Sequence, residues 1–395
     1  MAPAWLFAPE GACGNAVGVE ALRPPAAGRA DHALPRTIMR GGTSRGLFFR
    51  RDDLAREREG MLGQLRRAVG SGSDRGIDGL GGLDPLANKI AVVARARCGQ
   101  ADLDYWFAQV SDLRRGRLDD SLSCGNILAG VGPFAVESGL VPANTPSTCL
   151  RVRSVNTGDI VRVVFATRDG RPVYEGSCAI DGVPGTGSPI ELDYATAPPR
   201  AERELFPAGH RLGRAGAIEY TLVRCATTLL IARACDFGLS GAESAQTLNE
   251  DQALLRRIET FRRDAARRDG LGDVAGSVSP KVALIASGPE HATLYSRYFI
   301  PQACHAAHAV TGALALAAAA RCAGTLASGM APACGSDDRL RIAHPAGVLD
   351  VHVRVREAAG LIDLQRLSVL RTARRIMQGD LWLSDPPRPE HAGRS

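Results

Sequence analysis

The chain has 395 residues, 45% of them hydrophobic and 23% charged, which gives room for two or three domains and excludes overall disorder. No apolar run of about eighteen residues has the flanks of a spanning helix. The formal net charge of +6 is dispersed among acids, without the aromatic-interleaved basic patch that a nucleic-acid partner requires. The ten cysteines include no C-x-x-C pair, so zinc-ribbon and thioredoxin signatures are absent. Scattered free thiols suit a reducing cytosol, and the expected location is cytoplasmic with no membrane partner.

In chain order, residues 1–35 are rich in Ala, Pro and Gly, lack apolar periodicity and lack the compact hydrophobic stretch of a signal peptide; they read as a flexible extension. A short strand is predicted at 37–40. The polar turn Gly41-Gly42-Thr43-Ser44-Arg45-Gly46 follows, and a strand resumes at 47–49. Apolar spacing predicts a helix over 52–69. A glycine-rich stretch at 70–82 leads to a strand at 88–93, and strands at 103–110 and from 118 precede Cys124. Cys124-Gly125-Asn126 opens an apolar helix through Ile127, Leu128, Val131, Phe134 and Val136. Strands are predicted at 150–155, 160–166 and 173–180, turn chemistry at 181–187, and a proline-bearing linker at 195–207. The second half repeats the plan: strands at 217–224 and 228–234, a helix over 244–267, a strand at 281–286 and a small-residue helix over 304–322. Strands at 340–342 and 348–355 follow, then a closing strand at 367–377. Two halves, each of strands around one apolar helix, predict an α+β fold of two pseudo-duplicated domains, 36–195 and 196–385, with a cleft between them and a tail at 386–395.

Lys89 and Lys281 are the only lysines among 48 basic side chains. Where arginine fills nearly every basic position, a retained lysine points to chemistry that needs a neutral amine, because a guanidinium stays protonated and a buried lysine need not. Lys89 is therefore a candidate base. Lys281, between Pro280 and Val282, reads as a strand start outside the cleft. Cys124 stands before a helix, where the Gly125 and Asn126 amides and the dipole favour a thiolate or hold a carboxylate or enolate oxygen; a buried structural cysteine is the alternative. The loop 41–46 offers backbone donors and the Thr43 and Ser44 hydroxyls to an anion, or is a bare hairpin turn. It has neither the spacing nor the lysine of a P-loop. His305 and His308 have helical spacing but no acidic neighbour in sequence, so no metal site is expected. With no nucleophile elbow, His-Glu-x-x-His pair or dinucleotide loop, no cofactor is expected either.

Several uncommon motifs occur together: Met39-Arg40-Gly41-Gly42-Thr43-Ser44-Arg45-Gly46, Ile77-Asp78-Gly79-Leu80-Gly81-Gly82, Asn88-Lys89-Ile90-Ala91-Val92, Asp104-Tyr105-Trp106-Phe107-Ala108-Gln109-Val110, Cys124-Gly125-Asn126 with Val131-Gly132-Pro133-Phe134-Ala135, and Ile180-Asp181-Gly182-Val183-Pro184-Gly185-Thr186. In these motifs, and in their order from about residue 36 to 380, the chain resembles the PrpF-type allylic isomerases. The run from Gly125 to Ala135, with Phe299-Ile300-Pro301 and Cys304-His305-Ala306, is most similar to the 4-oxalomesaconate tautomerases of that family. The resemblance implies the diaminopimelate-epimerase-like fold and cofactor-free proton transfer across a three-carbon allylic unit of unsaturated di- and tricarboxylic acids. It also puts the family's catalytic lysine on Lys89 and its Cys-Gly-Asn cysteine on Cys124. Three departures are visible: Arg45 stands where the family has lysine, Ala346 in His344-Pro345-Ala346-Gly347 where it has serine, and Cys225-Ala226-Thr227-Thr228 where the tautomerases have an Asn-x-x-Pro-like segment. The last two are expected to remodel the second-domain wall of the cleft.

These readings converge on an isomerase that transposes a C=C bond, or interconverts cis and trans forms, in a small polycarboxylate such as 4-oxalomesaconate, aconitate or 2-methylaconitate. Lys89, kept neutral by burial, would take the proton. Cys124 would return or guide a proton at the other allylic end, and Gly125 and Asn126 would hold the developing charge. Thr43, Ser44, Arg297 and His305 are candidates to bind substrate. The rivals are a two-cysteine racemase or epimerase, since Cys304 is expected near the second helix start, and a non-catalytic carboxylate-binding accessory protein. A homodimer is a candidate assembly.

Overall fold

The computed structural model describes residues 33–383 apart from 73–75, 83–87, 98, 111–112, 115, 122, 196–197, 301 and 332–337. The tail expected at 386–395 and the extension up to residue 32 lie outside the described residues, as do Cys13, Cys98, Pro301 and Cys334.

Both halves are built by the same succession of moves. In the first, the antiparallel pair Ala33–Gly41 and Ser44–Arg50 leads through the helix Arg58–Val69 to Lys89–Arg95, parallel to Ser44–Arg50. Leu103–Val110 pairs antiparallel with that strand, and the helix Gly125–Glu137 then crosses to Ser147–Ser154, parallel to Leu103–Val110, beside which Ile160–Arg168 turns back. In the second half the hairpin is Ile218–Cys225 with Thr227–Arg233, the crossover is Ala245–Glu250 with Gln252–Arg268, and the parallel return is Lys281–Ser287. Leu294–Ile300 pairs antiparallel with it, the helix Val310–Arg321 crosses to Arg339–His344, and Gly347–Ala358 turns back. Two pairings join the halves. Ile190–Asp193 lies between Ile160–Arg168 and Leu361–Arg371, and the final strand Ala373–Trp382 pairs with the opening strand Ala33–Gly41.

The two central helices differ from the crossover helix for a reason visible in their sequences. Gly125–Glu137 is apolar all round and buried continuously from Gly125 to Ala135, so strands enclose it on every side. Its counterpart Val310–Arg321 is nearly all Ala, Leu and Gly. Strands lie directly on its backbone: a Cβ at Gly312 would stand 2.1 Å from the Tyr298 ring. Gln252–Arg268, by contrast, buries Leu254, Leu255, Ile258, Phe261 and Ala265 while arginines occupy much of the rest, and it stays on the outside.

Several boundaries differ from the sequence reading. The helix expected from residue 52 begins at Arg58, after a short 3-10 turn Arg51–Asp53. The helix over 244–267 is broken at Asp251, whose side chain accepts from the Leu254 N–H and caps the second segment. The strand expected at 173–180 is reduced to Arg171–Pro172 and a single Cys178–Gly187 bridge. The linker at 195–207 carries a helical turn, Glu202–Leu205, whose Leu205 joins Phe206 in the core. Leu294–Ile300 was not expected at all. Its buried Ser296 and Arg297 hide the strand from an apolar pattern. The closing strand 367–377 is two strands, Leu361–Arg371 and Ala373–Trp382, separated at Thr372.

Candidate active site

The turn that follows Ala33–Gly41 is pressed against the start of the first central helix. At Gly42, where φ is +50°, a Cβ would stand 2.1 Å from Asn126 Oδ1, so only glycine allows this approach. Asn126 Nδ2 in turn donates to Thr43 Oγ1 at 3.0 Å, which ties the turn to the helix. Lys89 opens its strand opposite Gly46 and is only 5% exposed. Its Nζ donates to Ser44 Oγ at 2.9 Å and lies 3.6 Å from Cys124 Sγ. Cys124 is the N-cap residue of Gly125–Glu137, yet its side chain makes no capping hydrogen bond. The thiol and the first-turn amides are therefore not consumed by each other. The Tyr105 hydroxyl holds the Cys124 carbonyl at 3.3 Å.

The second half meets this group end to end. A Cβ on Gly125 would be 2.8 Å from Val310 Cβ and 3.1 Å from the Tyr194 hydroxyl; Val310 is the first residue of the second central helix. Two positive helix ends therefore face one small region. His305 lies within electrostatic reach of Lys89. Burial first, then electrostatic coupling to Lys89, pushes its imidazole down to about 3. Its Nδ1 accepts from the Ala307 N–H at 2.9 Å, which leaves Nε2 as the donor of the neutral ring. His308 is neutral as well, pushed down to about 4 by burial. Its Nε2 meets Ser296 Oγ at 3.0 Å and its Nδ1 the Ala309 carbonyl at 2.9 Å, so both ring nitrogens are engaged within the protein. Among the described residues no three His, Cys, Asp or Glu side chains gather as a metal set.

Six of the predicted residues, Thr43, Ser44, Lys89, Cys124, Gly125 and Asn126, are thus brought together, and His305 joins them from the other half. Arg297 is placed differently. It is 3% exposed, and its guanidinium donates to the carbonyls of Glu243, Ser296 and Ala343, clamping its strand to the neighbouring strand Arg339–His344 and to the loop at Glu243. Cys304 is not at a helix start. It sits in the two-residue strand Ala303–Cys304, buried, its thiol pushed up to about 12 by desolvation. The residue that caps the second central helix, matching Cys124, is Ala309.

Sequence reasoning missed one wall of the site. A cavity of about 450 Å³ is lined by Thr43, Cys178, Asp181, His308, His344 and Arg371 among others. It does not reach Lys89 itself; Thr43 connects the two. Ala346, the missing serine of the second half, lies across this opening, 3.7 Å from a Cβ built on Gly182, itself 3.3 Å from Thr43.

Residues 32–384 match the family model described as PrpF protein. The chain is 37% identical to the 4-oxalomesaconate tautomerase of Pseudomonas putida over 347 residues, 88% of this chain and 95% of that one. It is 33% identical to the 3-methylitaconate isomerase of Eubacterium barkeri, covering 89% and 97% of the two chains. Among solved structures, a methylitaconate-delta-isomerase superposes with a TM-score of 0.77 at 32% identity, over 89% of this chain and 95% of that one. A hydroxyproline epimerase from Agrobacterium vitis, at 15% identity and a TM-score of 0.54 over 91% and 95% of the two chains, shares the fold.

Proposed function

The chain belongs to the PrpF family and is an isomerase, and from that premise we propose that it moves a proton 1,3 across the allylic unit of a small unsaturated polycarboxylate, with 4-oxalomesaconate the foremost candidate. The observation that carries this reading is the Lys89 amine, buried, 2.9 Å from Ser44 Oγ and 3.6 Å from Cys124 Sγ, beside an uncapped helix N-terminus. A carbon next to a conjugated carboxylate or keto group is a weak acid, so the enolate-like intermediate must be stabilised as it forms. Lys89 in its amine form takes the proton from one allylic carbon. The amides of Gly125 and Asn126 hold the oxyanion, assisted by the dipole of Gly125–Glu137. Cys124, beside Nζ, guides a proton to the other end as the double bond shifts.

The two-cysteine epimerase has weaker support, because Ala309 stands where its second thiol would cap the second helix and Cys304 is buried elsewhere. Proton NMR in heavy water tests the proposal: wild-type protein should exchange the allylic protons of 4-oxalomesaconate, cis-aconitate or 2-methylaconitate. Binding of these acids without exchange would instead favour a carboxylate-binding accessory protein.

A further inference from the structure

The cavity beside the Lys89–Cys124 pair holds a cation that the mechanism above does not use. Arg371 ends the strand Leu361–Arg371 and is 6% exposed. Among the described residues its guanidinium makes one hydrogen bond, from Nη1 to the carbonyl of its own neighbour, Leu370, at 2.7 Å, and its Nε is buried without a partner. Among the described residues no carboxylate pairs with it. The two acids that line the cavity are engaged elsewhere. Asp181 accepts from the Val348 N–H at 2.5 Å, and Asp350 lies 3.6 Å from both Arg339 and Arg341. A buried guanidinium without an anion is a costly arrangement, and its usual resolution is a ligand that supplies the anion.

The other polar groups of the lining have the complementary chemistry. His344 Nδ1 accepts from the Ala346 N–H, so the neutral ring, pushed down to about 3 chiefly by burial, presents Nε2–H as a donor. Thr43 Oγ1 accepts from Asn126, which leaves its own O–H free to donate. A guanidinium, an imidazole N–H and a hydroxyl line one cavity as donors, while its two carboxylates are held by the Val348 N–H and by Arg339 and Arg341. Arg371 also acts electrostatically on Tyr194, whose hydroxyl neighbours Gly125.

We propose that this cavity is a second carboxylate subsite, in which Arg371, with His344 and Thr43, anchors the substrate carboxylate remote from the reacting carbons. The subsite rests on the isomerase reading and narrows its substrate class to acids whose extra carboxylate reaches past Thr43, tricarboxylates and extended dicarboxylates above short ones.

The test compares wild type with Arg371→Gln and Arg371→Lys. With cis-aconitate or 4-oxalomesaconate as substrate, Arg371→Gln should raise KM roughly 10- to 100-fold, the range of a lost charge-assisted hydrogen-bond pair, while kcat falls far less; Arg371→Lys should recover part of the loss. Tricarballylate, a saturated tricarboxylate with no double bond to move, should raise the melting temperature of wild type and not of Arg371→Gln, while both variants melt cooperatively without ligand. An unchanged KM together with an unchanged tricarballylate shift would overturn the subsite, as would a fall in kcat alone. A wild type that binds tricarballylate through Arg371 but exchanges no allylic proton would overturn the isomerase reading and leave the subsite standing.

Discussion

At the scale of single residues, scarcity and position made Lys89 and Cys124 legible. One is a rare lysine in an arginine-rich chain; the other precedes an apolar helix with a Gly-Asn pair. Arg371 was illegible for the converse reason. It is one arginine among many, buried in a strand whose partner at Ile190 comes from the other half of the chain. Removing the amine should cost the most: Lys89→Met should lower turnover at least about a hundredfold, the low end of a general acid–base contribution, in a steady-state assay on whichever acid exchanges. Turnover comparable to wild type would remove Lys89 from the mechanism. The thiols give a second expectation. Cys149 and Cys235 are exposed and should alkylate freely, whereas Cys225, Cys304 and Cys322 are buried and should react slowly. Cys124, partly exposed beside Lys89, and Cys178, partly exposed in the cavity lining, are the two whose labelling a polycarboxylate should suppress. Peptide mapping after brief alkylation, with and without tricarballylate, reads this directly, and protection spread equally over Cys149 and Cys235 would contradict it.

At the scale of elements, the internal repeat explains the second lysine. Lys89–Arg95 and Lys281–Ser287 are each seven residues long, share one burial pattern, and each lies parallel to the strand before its crossover helix. The chain's two lysines therefore open equivalent strands. The sequence reading of Lys281 as a strand start holds, but the side chain is 3% exposed, and its cation acts electrostatically on His305. Desolvation pushes it down to about 8, with Asp119 opposing and Arg262 reinforcing. Between pH 8 and the ordinary lysine value near 10.5 Lys281 binds fewer protons folded than unfolded, so its own contribution to stability should rise with pH, while the buried thiols Cys225, Cys304 and Cys322, pushed up to about 11 or 12, work against it from about pH 9 upward. Lys281→Met should abolish that rise and be more stable at pH 7 by on the order of 1–3 kcal/mol. Urea unfolding at pH 7, 8.5 and 10 measures both effects. Parallel profiles for variant and wild type would show that the ammonium carries no desolvation cost.

At the scale of the whole molecule, the two apolar helices and the repeated plan of the halves follow from patterns that the chain displays locally. What joins the halves does not. Ala373–Trp382 returns to Ala33–Gly41, Ile190–Asp193 bridges two distant strands, and polar side chains are buried where they meet. Those contacts are set by long-range packing, which period and propensity do not encode. The clearest consequence is a cluster of three neutral histidines at this junction. The His308 ring lies tilted against Tyr298 at 5.0 Å and against His344 at 6.4 Å. Burial pushes His305 and His344 down to about 3 and His308 to about 4, while electrostatic coupling to Lys89 and to Arg371 adds to the effect on His305 and His344 respectively. All three lie below the ordinary value of 6.5, so below that pH the unfolded chain takes up protons that the folded protein refuses. Stability should therefore be full above pH 6.5 and fall as pH drops, by up to about 1.4 kcal/mol per pH unit for each histidine. The window from 6.5 to 5 favours this effect, because ordinary carboxylates titrate below it, with Asp104 and Glu137, raised by burial, opposing it. His308→Gln should unfold with about two-thirds of the wild-type slope in that window, measured by urea midpoints at pH 7, 6 and 5. A slope equal to that of wild type would mean that His308 accepts a proton within the fold at no cost, and that the junction is wetter than its hydrogen bonds to Ser296 and Ala309 imply.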